Sequence, residues 1–148
     1  MSSPRNICEF NNVTRTFIDG TRTVTAIDQL DLAVASGEFV AIMGPSGSGK
    51  SSVLNLAGGL DIPTSGEVTV LGRSLARMSV SELAEVRRRH VGYVFQRLNL
   101  LPTLTASENV MLPLELDGIA TREARSHAAE ALDAVGLACL EQPLGPSD

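Results

Sequence analysis

The sequence of 148 residues predicts an α/β fold with an antiparallel β layer at its start and a helical region at its end. Three observations support this prediction. Two early stretches are rich in β-branched residues, a glycine-rich segment follows an apolar run, and later segments combine capping residues with helical spacing. The predicted division places the β layer and α/β core in residues 1–95 and a helical region in residues 96–148.

The predicted β layer consists of two strands, residues 7–17 and 22–34, which are rich in Val, Thr, Ile, Phe and Leu. Asp19-Gly20 between them is typical of a hairpin turn. Phe17 lies near the tip of this hairpin. An aromatic side chain there could stack on a base, although ordinary hydrophobic packing is the commoner role of such a residue.

The next element is a buried strand predicted over residues 38–43, in which residues 39–43 form an apolar run of the length that a parallel strand needs. It leads into a match to G-x-x-x-x-G-K-[ST], and residues 52–57 then read as a helix. The matching segment consists of Gly44, Pro45, Ser46, Gly47, Ser48, Gly49, Lys50 and Ser51. A strand, a glycine loop and a helix in this order predict a phosphate-binding site.

The chemistry of a triphosphate explains why these residue types are needed. Glycines let backbone N–H groups approach the phosphate oxygens, and the helix N-terminus adds unpaired donors and a positive dipole end. Lys50 is expected to reach the β- and γ-phosphates, and the Ser51 hydroxyl is expected to complete a Mg²⁺ shell. The alternative is a flexible glycine turn with a chance lysine, which the flanking strand and helix argue against.

Beyond the loop, Gly58-Gly59 is expected to end the helix, and residues 67–72 have the alternation of a strand. A short helix over residues 82–87 leads into the basic run 87–90. That run could bind phosphate or nucleic acid. We favour the simpler interpretation that the cations complement a helix C-terminus, because no aromatic residues are interspersed among them.

A second apolar run, residues 91–95, is predicted to be a strand that ends in Gln96. That position suits either a ligand-binding residue or a solvated loop residue. Residues 105–108 form a capping box for a helix, in which Pro113 predicts a kink or break. Thr121 is expected to cap a further helix, which Gly136 then stops.

Composition limits the classes of function. Seventeen acidic residues outnumber twelve basic ones, so the net charge of −5 argues against a nucleic-acid binder. No apolar run approaches the roughly 20 residues of a membrane span, and no signal peptide is evident. Any membrane association is therefore expected to go through a partner. Cys8 and Cys139 lack metal-ligand spacing and are expected to be free thiols in a reducing compartment.

Four stretches resemble the nucleotide-binding subunit of ABC transporters, specifically the lipoprotein-release and macrolide-efflux group. They are residues 37–43 leading into the glycine loop, 58–68, 91–96 and 99–114. The last stretch is the most specific, because many NTPases share the glycine loop. A small kinase or GTPase would explain the loop but not Leu100-Leu101-Pro102 followed by Glu108-Asn109-Val110.

The resemblance implies a P-loop NTPase fold of the ABC type, with ATP and Mg²⁺ as ligands and a helical subdomain over residues 96–143. It implies that Gln96 joins the Mg²⁺ shell and couples the site to a membrane subunit. It also implies that Phe17, where the family usually has tyrosine, stacks on adenine, and that Ser52 lies near the α-phosphate. This resemblance makes base stacking the favoured role of Phe17.

The resemblance further implies a transmembrane permease partner, a second ATP-binding subunit in a homodimer, and a cytoplasmic position on the inner face of the membrane. After Pro143 the family continues into Leu-Ser-Gly-Gly-Gln and then an acidic strand, a catalytic glutamate and a switch histidine. No residue here matches them, so the sequence resembles about the first 60% of such a subunit, truncated before the signature. We therefore expect weak MgATP binding without turnover. The alternative is a fragment without stable nucleotide binding.

Overall fold

The structure is a computed structural model that describes residues 6–96 and 99–137. Contacts divide the chain into two compact units, residues 1–93 and residues 94–148. The expectation for Cys139 and for the end of the helical subdomain lies outside the described residues. No helix in the described ranges combines the length and apolarity needed to cross a bilayer.

The first unit is built on a four-stranded antiparallel sheet with the order β2-β1-β3-β4. Strands β1 (Asn6–Asp19) and β2 (Arg22–Ala35) form the predicted hairpin, with Asp19 paired to Arg22 beside the turn. Strand β3 (Ser65–Val70) pairs with the other edge of β1, and the short β4 (Arg73–Ser74) follows it. The predicted antiparallel layer is therefore confirmed.

Helix α1 (Lys50–Ala57) contributes Val53 and Leu56 to the same core as the inner face of the sheet. Alternation along the strands turns apolar side chains toward that core, as expected for a half-buried sheet. The core residues of this unit are Phe10, Val13, Ile27, Val53, Leu56, Val68, Val70, Leu75 and Val86. Gly58 caps the C-terminus of α1, as the sequence predicts.

Two predicted strands are wrong for this structure. Residues 38–43 and 91–95 have no strand conformation, and the four strands formed by the described residues pair only with one another. The side chains of Phe39, Met43 and Val94 are 94%, 88% and 96% exposed, respectively. A buried parallel strand needs hydrogen-bonded neighbours, and no described strand lies beside either run.

The 3₁₀ turn Leu75–Arg77 leads to helix α2 (Val80–His90), which begins at an Ser79–Glu82 capping box. Residues of the basic run at the end of this helix make polar contacts within the unit. Arg87 Nη1 donates to the Gly59 carbonyl at 2.7 Å, and Arg89 pairs with Glu85 at 3.6 Å. These contacts agree with a structural role for the run.

The second unit contains helices α3 (Ala106–Leu116) and α4 (Thr121–Ala134), which pack around Met111, Ala124 and Ala128. The predicted capping box is present, since the Thr105 hydroxyl accepts from the Glu108 N–H at 3.1 Å. The expected break at Pro113 is not observed, because α3 continues through it to Leu116. The N-cap of α4 is Ala120, so Thr121 begins the helix rather than capping it.

Candidate phosphate-binding site

The glycine loop is held against strand β2 by Gly49. This residue has φ +86° and serves as the N-cap of α1. A Cβ built on it would lie 2.2 Å from the Ala26 carbonyl oxygen, so only glycine allows the loop to approach the strand this closely. A Cβ on Gly44 would lie 2.6 Å from Ser48 Oγ, but that hydroxyl can rotate away, so the steric requirement for glycine is weaker at Gly44 than at Gly49.

The loop delivers the N-terminus of α1 to the surface. The first N–H groups of a helix have no partner within the helix, and here no acidic side chain lies in the first turn to receive them. Ser51 is exposed and Ser52 is half-buried. The arrangement concentrates backbone donors and the positive end of the helix dipole at an exposed position, which favours an anion.

Lys50 folds back over the loop that precedes it. Its Nζ donates to the carbonyl oxygens of Gly44 at 2.9 Å and Pro45 at 2.6 Å, and contacts Ser48 Oγ at 3.3 Å. These three partners use the three donors of the ammonium group. The only lysine of the chain is therefore placed at the mouth of the loop.

Phe17 lies on β1 near the hairpin turn and is 40% exposed. The guanidinium carbon of Arg15 lies 4.5 Å from the centroid of its ring, a cation–π geometry. Arg15 also pairs with Asp61 through two hydrogen bonds of 2.8 Å, from Nε to Oδ2 and from Nη2 to Oδ1. One face of the aromatic ring is thus covered by an anchored cation.

The same hairpin supports both Phe17 and the glycine loop. Arg15 on β1 pairs with Ile27 on β2, and the neighbouring Ala26 carries the carbonyl against which Gly49 lies. Phe17 follows two residues along β1, about 7 Å further at the usual rise per residue. The structure therefore brings Phe17 and residues 44–52 into one unit on one pair of strands.

Gln96 is exposed and belongs to the second unit. Its predicted role in the Mg²⁺ shell stays a prediction. Neither Arg15 nor Asp61, which are 46 residues apart, is predicted from the sequence to take part in the site. A single cation two residues before an aromatic is too weak a pattern to indicate a positioning contact, and nothing local marks Asp61 as its partner.

Comparison with known proteins places these features in a family. The family model described as "ABC transporter" matches residues 27–145. The lipoprotein-releasing system ATP-binding protein LolD of Xanthomonas campestris pv. campestris (strain 8004) is 50% identical over 123 residues, which are 83% of this chain and 52% of that protein. The macrolide export ATP-binding/permease protein MacB of Marinobacter nauticus is 44% identical over 135 residues, 91% of this chain and 21% of that protein.

Solved structures similar to this chain belong to the same family as the relatives found by sequence. The dimeric post-hydrolysis structure of the ATP-binding cassette MJ0796, bound to ADP and Pi, superposes with a TM-score of 0.85 at 40% identity and covers 95% of this chain and 63% of that chain. The predicted fold class is therefore confirmed. The chain spans about half the length of the LolD proteins it matches. Because the family match covers most of the sequence, the chain belongs to the ABC transporter family, as a homologue of its ATP-binding subunits.

Proposed function

We propose that this chain binds MgATP at the glycine loop and forms the nucleotide-binding part of a transporter that exports substrates or releases lipoproteins. The observation that carries the proposal is the loop itself, in which Gly49 rests on β2 and Lys50 and the helix N-terminus meet at one exposed place. The names of the relatives support the transport process, since they include a lipoprotein-releasing system and a macrolide exporter.

The donors present fit a triphosphate. Backbone N–H groups at the start of α1 would hold phosphate oxygens, and Lys50 would exchange its loop carbonyls for the β- and γ-phosphates. Ser51 would contribute an oxygen ligand to Mg²⁺, and Ser52 would lie near the α-phosphate. The proposed Mg²⁺ role of Gln96 rests on the family resemblance alone. Bound Mg²⁺ supplies neutralisation of phosphate charge. Phe17 would stack on adenine with the ring face that Arg15 leaves open.

We further propose a membrane permease as partner, a second ATP-binding subunit as dimer mate, and a peripheral position on the cytoplasmic face of the membrane. The relative from Marinobacter nauticus carries ATP-binding and permease functions in one named protein, which supports a permease partner. The solved MJ0796 cassettes are dimers, which supports pairing of two nucleotide-binding parts. Co-purification with the permease of a lipoprotein-releasing or macrolide-export system would test the first partner.

The test of nucleotide binding uses the only lysine in the sequence. Lys50 is the single side-chain amine, so an amine-acylating reagent followed by mass spectrometry reports on this residue separately from the α-amino group. MgATP is expected to protect Lys50 from acylation. The Lys50→Ala variant is expected to lose Mg²⁺-dependent ATP binding in calorimetry, whereas Arg73→Ala, which removes a charge elsewhere in the unit, should retain it. Full labelling at saturating MgATP would refute the proposal.

The alternative of a fragment without stable nucleotide binding rests on the exposed apolar run at residues 39–43. A broad, non-cooperative melting curve together with absent ATP protection would favour that alternative.

A further inference from the structure

Arg15 occupies one face of the Phe17 ring. The guanidinium carbon is 4.5 Å from the ring centroid, within the range in which a cation is attracted to the π face. The side chain of Arg15 is only 24% exposed, so its position is restricted. A base that stacks on Phe17 must therefore use the opposite face.

The position of Arg15 is fixed by Asp61. The two parallel hydrogen bonds of 2.8 Å form the fork geometry in which a guanidinium and a carboxylate match. Asp61 is itself restricted, because its Oδ1 accepts from the Ile62 N–H at 2.8 Å. Its carboxylate thus holds the cation at a defined place over the ring.

Asp61 connects this arrangement to the phosphate helix. The N–H groups of Leu60 and Asp61 donate to the carbonyl of Asn55, which lies on α1, at 2.9 and 3.3 Å. The turn is also joined to β1, since the Thr64 N–H donates to Thr14 O at 2.8 Å and the Thr16 N–H donates to Thr64 Oγ1 at 3.0 Å. A continuous set of contacts therefore links the helix behind the glycine loop to the ring of Phe17.

We propose that Arg15 is a positioning residue for the base, which holds Phe17 with one face covered and the other open and keeps the ring in register with the phosphate helix through Asp61. This inference rests on the proposed binding of ATP. Its chemistry is that of preorganisation: a ring already held in place loses less conformational freedom when a base stacks on it. The effect must then appear only for ligands that carry a base.

The experiment compares MgATP with Mg²⁺-tripolyphosphate, which has the phosphates without the base, on the full chain by competition calorimetry. Arg15→Met keeps the apolar stem and removes the cation. It is expected to weaken MgATP binding about two- to fivefold and to leave tripolyphosphate binding unchanged. Arg73→Met is the matched control, because it breaks an Arg–Glu pair in the same unit, the 3.1 Å pair with Glu82, and should change neither ligand.

Further variants separate positioning from general stability. Arg15→Lys keeps a cation near the ring but loses the fork, so ATP affinity should recover in part. Asp61→Asn should weaken the binding of MgATP selectively. The double variant with Arg15→Met should lose no more affinity than Arg15→Met alone, since both act through one contact.

The chain has no tryptophan, so Phe17→Trp provides a single fluorescent reporter. The change in its emission on addition of MgATP should be smaller when Arg15→Met is also present.

The outcomes are distinguishable. If the unaltered chain binds neither ligand, the proposed nucleotide site is refuted and the positioning role falls with it. If it binds both ligands and Arg15→Met weakens neither, or weakens both equally, the nucleotide site stands and the positioning role is overturned. The positioning role is supported if Arg15→Met weakens the binding of MgATP and not of tripolyphosphate. It is supported further if the Arg15/Asp61 double variant binds MgATP no more weakly than Arg15→Met alone.

Discussion

At the scale of single residues, the site depends on contacts that the motif pattern does not specify. The pattern of residues 44–51 identifies Gly49 as a required glycine but does not show that Ala26 is the group it must approach. It places a lysine at position 50 but does not show that Gly44 and Pro45 receive its ammonium. Local sequence predicts the residue type at such positions, whereas the atoms that each residue meets are set by the fold; for Gly49 those atoms lie on a different element, strand β2.

The substitution Gly49→Ala tests the approach of the loop to β2. Alanine must adopt φ +86° and its Cβ must displace the Ala26 carbonyl, so we expect the free energy of unfolding to fall by about 1–3 kcal/mol and ATP affinity to fall with it. Urea denaturation and calorimetry provide the two measurements. Gly20→Ala is the control, because that residue also has positive φ but has nothing within 4 Å. Equal destabilisation by both would show that the contact with Ala26 is unimportant.

At the scale of elements, the predictions that succeeded are those set by neighbouring residues. The hairpin around Asp19-Gly20, the end of α1 at Gly58 and the capping box at Thr105 depend on turn and cap chemistry within a few residues. The strands predicted for residues 38–43 and 91–95 failed because pairing depends on strands that are distant in sequence. An apolar run alone cannot specify that a partner lies beside it.

The capping boxes of α2 and α3 also share a dependence on pH. The Ser79 backbone N–H, followed by its hydroxyl, lowers the pKa of Glu82, and the equivalent groups of Thr105 lower the pKa of Glu108. A lowered pKa in the folded state means that the stabilisation is present above the ordinary glutamate value of about 4.3 and is lost as the pH falls through the lowered value.

The variant Glu82→Gln is therefore expected to flatten the decline in stability between about pH 5 and the lowered pKa of this group, because Gln has no carboxylate to protonate. The urea midpoint, measured across this range, reports the effect. Glu85→Gln on the same helix serves as the control, since Glu85 takes no part in the cap. A decline in Glu82→Gln as steep as in the unaltered chain would contradict the assignment.

At the scale of the whole molecule, each unit has its own apolar core, one around the four-stranded sheet and one between α3 and α4. Outside these cores the first unit presents the apolar residues 39–43, with Phe39 and Met43 almost fully exposed. Such a run contributes little to the folded state of the described residues. An exposed patch of this kind favours self-association.

The double variant Phe39→Ser/Met43→Ser is expected to change the free energy of unfolding by less than about 0.5 kcal/mol and to reduce aggregation at high concentration. Chemical denaturation and light scattering measure the two effects. Phe10→Ser is the opposite case, because Phe10 is fully buried. Its replacement should lower the free energy of unfolding by about 3 kcal/mol or more. A large loss of stability in the double variant would mean that residues 39 and 43 are buried in solution.

The position of the Lys50 ammonium has a consequence for the free chain. The ammonium already donates to two carbonyl oxygens at the entrance to the loop, so a positive charge is held there by the loop's own backbone. Under the proposed binding of ATP, an incoming phosphate would exchange those carbonyl oxygens for its own oxygens, and no further cation would have to be brought to the entrance.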